Sequence, residues 1–493
     1  CTYNTNAQWF KNKCVCIRQN GAMVFIPRIL IAGTHSGVGK TTVAVGLMAS
    51  FAARGLRVQP FKAGPDYIDP GYHTAATNRI CRNLDTWLLT QRHVGQVFQH
   101  ASATADVAVI EGVMGLFDGQ SHTSDRGSTA ELAKMLRAPV ILVVDASAMA
   151  RSVAALVRGY LTFDPHLDVA GVMLNRVSER HFHVLCQALR RTVHVPVLGY
   201  LPQDPALAIP ERHLGLVPAD EDPALARILE RVATVLPQTV NLSQVLRIAK
   251  AAPALPETPW PTGRIPERSQ VTIGVARDRA FHFYYQDNLD LRRSAGARLV
   301  EFSPLTDARL PEGIDALYLG GGFPERFATQ LKENASMRRE LHRAIKGGLP
   351  TYAECGGLMY LAQRLIDEQG RAHAMVGILP GSIRMTDRLQ HFGYATVRPR
   401  RRTILADAHD AIKGHEFHYS VWDHAPSSRH AAYVVTKPRE SRRLEGFARA
   451  NLLASYIHVH FLTNPRWARG FVASARCWRG QRPRFVRRVT RKA

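Results

Sequence analysis

The residue with the most pointed chemical context in this 493-residue chain is Cys355. It lies in Pro350-Thr-Tyr-Ala-Glu354-Cys355-Gly356-Gly357-Leu-Met-Tyr-Leu, where an apolar run meets a turn with two glycines and then a second apolar run. Strand, sharp turn and helix in that order form a nucleophile elbow, with cysteine in the serine position. The thiolate is the reactive form, and a helix N-terminus favours it. A nucleophilic thiol needs a base. The segment Ala454-Ser-Tyr-Ile-His458-Val-His460-Phe, about 100 residues on at the end of a strand-like run, is a suitable place for one. Gly321 and Gly322 follow another apolar run in Leu319-Gly320-Gly-Gly322-Phe-Pro-Glu325, and with Gly356 they are placed to offer backbone N–H groups to an oxyanion. The cluster His415-Glu416-Phe417-His418-Tyr419 is polar enough for a metal but lacks the H-E-x-x-H spacing. It reads equally as a substrate-facing strand or a structural network.

A second chemistry sits near the other end of the chain. In Ile29-Leu-Ile-Ala-Gly33-Thr34-His-Ser-Gly37-Val38-Gly39-Lys40-Thr41-Thr42 an apolar strand runs into a glycine-rich loop and then a helix. Residues Gly33 to Thr42 would cradle phosphate oxygens with backbone N–H groups, Lys40 would reach the terminal phosphates, and Thr41 would bind Mg²⁺. The usual first glycine is displaced by one residue, because position 34 is threonine. Val107-Ala-Val-Ile-Glu111-Gly112 puts a carboxylate at a strand end, where Glu111 could hold the same metal. Lys62-Ala-Gly-Pro-Asp66-Tyr67-Ile-Asp69-Pro is a loop at the same edge.

The elements that must carry these groups form two α/β series. Arg28–Ala32, Val58–Phe61, Val107–Ile110, Val140–Val144, Val169–Leu174 and Val197–Leu201 read as strands apolar on both faces, separated by helices, which argues for a doubly wound parallel sheet. Five prolines fall between Pro253 and Pro266, so 251–270 reads as a linker between a domain at 23–250 and another at 271–476. The second series has strands at Val271–Ala276, Ala316–Leu319 and Leu349–Tyr352. Residues 1–22 show no periodicity and read as an extension ahead of Met23, while 477–493 form a basic tail, read as solvated and disordered.

Composition narrows the classes. No apolar run reaches about 18 residues, so no membrane partner is expected. Seven cysteines without a C-x-x-C pair indicate neither a disulfide framework nor a zinc site, and a cytoplasmic setting is expected. Of the formal charge of +24, ten positive charges lie in Arg466–Ala493. The remaining excess suits polyanionic small ligands in a cleft. A DNA-binding phosphate-loop switch would explain the charge but not Cys355, and nucleic acid is not the expected partner.

Taken together, the motifs resemble the cobyrinic acid a,c-diamide synthase family. The resemblance runs from about Met23 to Arg476 and rests on Gly33–Thr42, Lys62–Pro70, Glu111–Gly119, Gly171–Arg176, Pro210–Gly215, Ala280–Tyr285, Gly320–Glu325, Tyr352–Leu361 and Ser455–Phe461. It implies a dethiobiotin-synthetase-like ATP domain followed by a flavodoxin-like class I glutamine amidotransferase domain. It further implies Mg²⁺-ATP and glutamine as co-substrates, a corrinoid polycarboxylate as acceptor, and a protected route for ammonia; a homodimer is left open. Carried over residue by residue, it assigns Cys355 and His458 to catalysis, Asn175 to adenine, Asp66 to metal, and Tyr67 and Asp69 to the substrate side. The glutamate that follows the catalytic histidine by two residues in more distant relatives is His460 here, which leaves the orientation of His458 open. Hydrogenobyrinic acid or nickel-sirohydrochlorin would suit the same motifs.

Overall fold

The computed structural model describes residues 16–18, 21–207, 209, 223–261, 270–408, 410–424, 429–437 and 440–489. The chain forms two compact units, one through Gly215 together with Ala219–Trp260, the other from Pro261 with a short piece at 216–218. The Pro210–Gly215 motif lies outside the described residues.

The first unit is built on a seven-stranded parallel sheet. Its strands lie in the order Arg82–Leu84, Val58–Ala63, Val107–Glu111, Arg28–Gly33, Val140–Asp145, Val169–Asn175, Val197–Leu201. The three strands at Arg28, Val58 and Val107 are buried along their whole length, as covering helices on both faces require. Helix Lys40–Ala53 packs on the sheet through Val43, Leu47 and Phe51, which join Ile29, Ile31, Val109 and Ile141 in one core. Arg28–Gly33 sits between strands that come later in sequence, so the loop after it opens where the winding changes direction.

The proline-rich segment is held in place along the part that belongs to the first unit. Leu255–Pro256 pairs with Gly21–Val24, which also pairs with Cys16–Arg18 from the expected extension. Proline removes a donor but keeps its carbonyl, and those carbonyls are what hold the segment. Gln99 Nε2 donates to Pro256 O at 2.7 Å, Gln96 Nε2 to Pro259 O at 2.7 Å, and Arg28 Nη2 to Pro253 O at 2.6 Å.

The second unit carries a ten-stranded mixed sheet. Ala297–Phe302, Val271–Ala276, Ala316–Leu319, Thr351–Glu354 and Leu452–Ser455 run parallel; Arg443–Arg449, Ala431–Thr436, His391–Pro399, Ile412–His418 and His458–Val459 extend it antiparallel. A four-stranded sheet is formed by Ala372–Ala374, Ala362–Ile366, Leu379–Met385 and Ser420–Trp422. The basic tail is not extended coil: helix Arg466–Val489 includes most of it. Trp467, Phe471, Val472 and Ala475 give the helix a buried face at helical spacing, and Arg476 donates to Ala295 O at 3.0 Å. No described helix is long and apolar enough to cross a membrane.

Arg28 joins several of these pieces. It is fully buried, and its guanidinium donates to the carbonyls of Leu136 (2.7 Å), Ile26 (2.9 Å), Arg137 (3.2 Å) and Pro253. Burial, and then Arg137, pull its pKa down to about 10, which still leaves it charged at neutral pH. Replacing it by methionine strands four acceptors, so Arg28→Met should lower stability by about 3 kcal/mol. Urea unfolding measures this, and a loss under about 1 kcal/mol would show that the carbonyls find other donors.

Candidate active site

The phosphate loop has the geometry its glycines permit. Gly37 and Gly39 adopt φ of 79° and 93°, the left-handed region that glycine enters freely. A Cβ on Gly39 would lie 2.1 Å from Asn175 Nδ2. Asn175 itself, 6% exposed, donates to Val38 O at 2.8 Å, so its amide supports the loop from the neighbouring strand. Lys40 Nζ donates to His35 O at 3.2 Å; burial, partly opposed by Glu111, lowers its pKa to about 8. Thr34 and Val38 are buried in the loop, and Thr42 lies half-buried in the first turn of the helix.

Glu111 ends its strand beside both the phosphate loop and the 62–70 loop. Strand register sets Lys62 opposite Glu111. Thr41 Oγ1 donates to Glu111 Oε1 at 2.7 Å, Lys62 Nζ to the same oxygen at 2.8 Å, and His73 Nε2 lies 2.5 Å from Oε2. Lys62 also reaches Asp69 Oδ2 at 2.5 Å. Burial opposes the charge on Lys62, but Asp69 and then Glu111 outweigh it and hold the amine protonated. Burial likewise opposes the Glu111 charge, and Lys62, then His73, keep it ionised. Asp66 Oδ1 accepts from the Ile68 (2.7 Å) and Asp69 (3.3 Å) amides, a local turn. Tyr67 is half-buried in the same loop. Sequence reasoning quoted Lys62 only within its motif and overlooked His73; neither carries a periodic or glycine signal, and only the strand pairing brings them to Glu111.

Around Cys355 the structure gathers groups from four places in the sequence. Cys355 adopts φ 45° and ψ −103°, an uncommon conformation for a side-chain-bearing residue. Its N–H donates to Ser455 O at 2.7 Å, and its carbonyl accepts from Met359 N at 3.0 Å to start the short helix Gly356–Leu361. A Cβ on Gly356 would meet Gly322 N at 3.0 Å, and one on Gly321 would meet His458 Cε1 at 2.5 Å. Gly322 has φ 153°, and a Cβ there would sit 2.1 Å from Ala280 O. The three glycines and His458 therefore crowd together at the turn.

Two buried carboxylates lock the strand ends beneath. Glu354 accepts from Tyr318 (2.7 Å) and Tyr352 (2.5 Å) hydroxyls and from Val459 N (3.3 Å). Glu445 accepts from Ser455 Oγ at 2.6 Å and Tyr456 N at 2.7 Å. The 415–419 cluster is mainly such a network. His415 stacks on His458, His418 stacks on Tyr456 at 3.9 Å, Lys437 and Arg443 pair with Glu416, and Phe417 is exposed. Among the described residues no three His, Cys, Asp or Glu side chains are grouped to hold a metal. His460, at the position expected for glutamate in distant relatives, lies 3.5 Å from Asp287 instead.

This environment sets the resting protonation. Burial first, and the nearby Glu325 second, push the Cys355 thiol up to about 12. Burial, and then His418, pull His458 down to about 3. The ligand-free pair is therefore neutral thiol and neutral imidazole across the physiological range. Alkylation of Cys355 by iodoacetamide should keep accelerating through the alkaline range, as a raised thiol pKa demands. Mass spectrometry of the labelled peptide reads it, and a rate plateau from neutral pH upward would reveal a preformed thiolate and overturn this assignment.

Comparison with known proteins agrees with both halves of this geometry. Residues 29–217 match the family model of the CobQ/CobB/MinD/ParA nucleotide binding domain, and residues 272–466 match that of the CobB/CobQ-like glutamine amidotransferase domain. The chain is similar to the cobyrinate a,c-diamide synthase of Listeria monocytogenes serotype 4b, at 46% identity over 443 residues, covering 89% of this chain and 97% of that one. It is similar also to those of Dehalococcoides mccartyi (44%; 90% and 97%) and Priestia megaterium (42%; 92% and 98%). With likeness at this level along almost the whole of each relative, the chain belongs to the cobyrinate a,c-diamide synthase family.

Proposed function

We propose that this protein is a glutamine- and ATP-dependent ligase that amidates the a and c acetate carboxylates of cobyrinic acid in cobalamin biosynthesis. The observation that carries the reading is the strained corner at Cys355, with Gly321, Gly322, Gly356 and His458 converged on it. Cys355 Sγ attacks the side-chain amide carbon of glutamine as His458 accepts the thiol proton. Backbone N–H groups of Gly322 and Gly356 receive the oxyanion. His458 returns the proton to the departing nitrogen, ammonia leaves, and water cleaves the glutamyl thioester to glutamate. The resting pair is neutral, so the nucleophile forms as the thiol proton passes to His458 with substrate in place.

In the first unit a carboxylate is a poor electrophile, and transfer of the terminal phosphoryl group of ATP to it creates a good leaving group. Ammonia then adds to the acyl carbon and phosphate departs. Loop amides from Gly33 to Thr42 and the Lys40 amine neutralise the phosphates. The paired oxygens of Thr41 and Glu111, 2.7 Å apart, suit a hard cation bound between protein and phosphates. Mg²⁺ there would supply charge neutralisation of the phosphate oxygens. Lys62, held between Glu111 and Asp69, adds a fixed positive charge at the same edge; Asp66 is the further candidate for the metal, and Tyr67 and Asp69 are assigned to the acceptor side of their loop.

Amidation assays with cobyrinic acid separate the two chemistries. Cys355→Ala should lose about 1,000-fold or more of glutamine-dependent activity, as removal of a nucleophile does, yet keep ammonia-dependent activity within a few-fold. Lys40→Met and Glu111→Gln should lose both activities. Glutamine-dependent amidation surviving in Cys355→Ala would sink the reading.

A further inference from the structure

We propose that His415 is the positioning residue for His458, doing by ring packing what a carboxylate does in a Cys–His–acid triad. The inference rests on the reading of His458 as the base. Three candidates for an orienting acid are otherwise committed. Glu354 accepts two tyrosine hydroxyls and an amide, Glu445 holds Ser455 and Tyr456, and Asp287 faces His460.

The geometry points instead to the strand alongside. His415 and His458 are directly opposed in the antiparallel pairing of Ile412–His418 with His458–Val459. Directly opposed residues on one face of such a pair have their side chains in contact. The imidazoles stack, with centroids 5.1 Å apart and planes 22° apart. On another side the His458 ring abuts Gly321, so closely that a Cβ there would come within 2.5 Å of Cε1. A ring bounded by His415 and by Gly321 has little freedom to rotate.

His415 is itself tethered. Its Nδ1 is hydrogen-bonded to the Tyr285 hydroxyl at 3.1 Å, and the Tyr285 ring also packs on His460 at 4.8 Å. Tyr285 immediately precedes helix Gln286–Ser294, whose Asn288 side chain donates to Val459 O (2.7 Å) and accepts from Phe461 N (2.7 Å). One helix end thus anchors both the base-bearing segment and the ring stacked on it. Burial keeps the His415 imidazole neutral, so it adds no positive charge to oppose a proton arriving on His458.

Steady-state glutamine hydrolysis by the full chain tests this, with glutamate release as the readout. His415→Ala should lower kcat roughly 10- to 100-fold, the scale of a misplaced general base, with KM for glutamine changed less than about threefold. Ammonia-dependent amidation should be unaffected. His415→Phe, which restores a stacked ring without the tether, should recover most of the lost rate. Tyr285→Phe and His415→Phe break the same hydrogen bond, so the double variant should be no slower than the slower single one. Wild-type kcat in His415→Ala, strictly additive effects in the double variant, or equal loss of ammonia-dependent activity would each overturn the proposal. His458→Ala runs in parallel: if it retains glutamine hydrolysis, the assignment of the base fails first, whereas a dead His458→Ala beside a normal His415→Ala rejects the positioning role alone.

Discussion

The second unit depends on one constraint: the parallel pairing of Thr351–Glu354 with Leu452–Ser455 must end so that the chain can turn at Cys355. The hydrogen bond from Cys355 N to Ser455 O closes the ladder at that point. It leaves Cys355 in a backbone conformation that a free peptide seldom adopts, and the surrounding contacts must hold it there. Glu354 does so by accepting from the Tyr318 and Tyr352 hydroxyls and Val459 N, and Glu445 by accepting from Ser455 Oγ and Tyr456 N. Such buried carboxylates are costly unless fully bonded, and here their partners are the segments whose relative position matters. The sulfur, the glycine strand and His458 are therefore fixed by the same bonds that terminate the sheet.

The first unit solves a comparable problem with charge. Glu111 stands where three elements meet, the phosphate loop, the 62–70 loop and the helix bearing His73. Strand register alone would bring a carboxylate and an amine together at the sheet edge. The pair persists in a buried place because Lys62 is shared between two acids and Glu111 between three donors. Removing Lys62 would leave the Glu111 carboxylate without its buried cation in a low-dielectric site. Asn175 stabilises the loop from the opposite side through Val38 O, which explains why residue 39 has no side chain to spare.

Legibility in the sequence followed the distance over which each feature is encoded. Six strands of the first unit were readable from runs of Val, Ile and Leu, and the structure extends several of them by a residue or two. Arg82–Leu84 was missed, being three residues with a charged start. The antiparallel half of the second sheet was largely invisible, because strands such as His391–Pro399 and Arg443–Arg449 carry glycine, arginine and proline among few apolar positions. At 253–260 the prolines mark the end of the first unit, but the side-chain donors that capture their carbonyls come from a distant helix and have no local signal.

The two reactive loops are encoded locally, since a phosphate cradle and a thiol elbow are written in consecutive residues whose glycines dictate their backbone. The tertiary structure decided what surrounds them: that Glu111 is met by Lys62 and His73, that Asn175 braces Val38, and that His458 lies against His415. These partners are separated by between 38 and 137 residues and share no local pattern. Strand order and register bring them together, and both emerge only when the whole apolar core is packed at once.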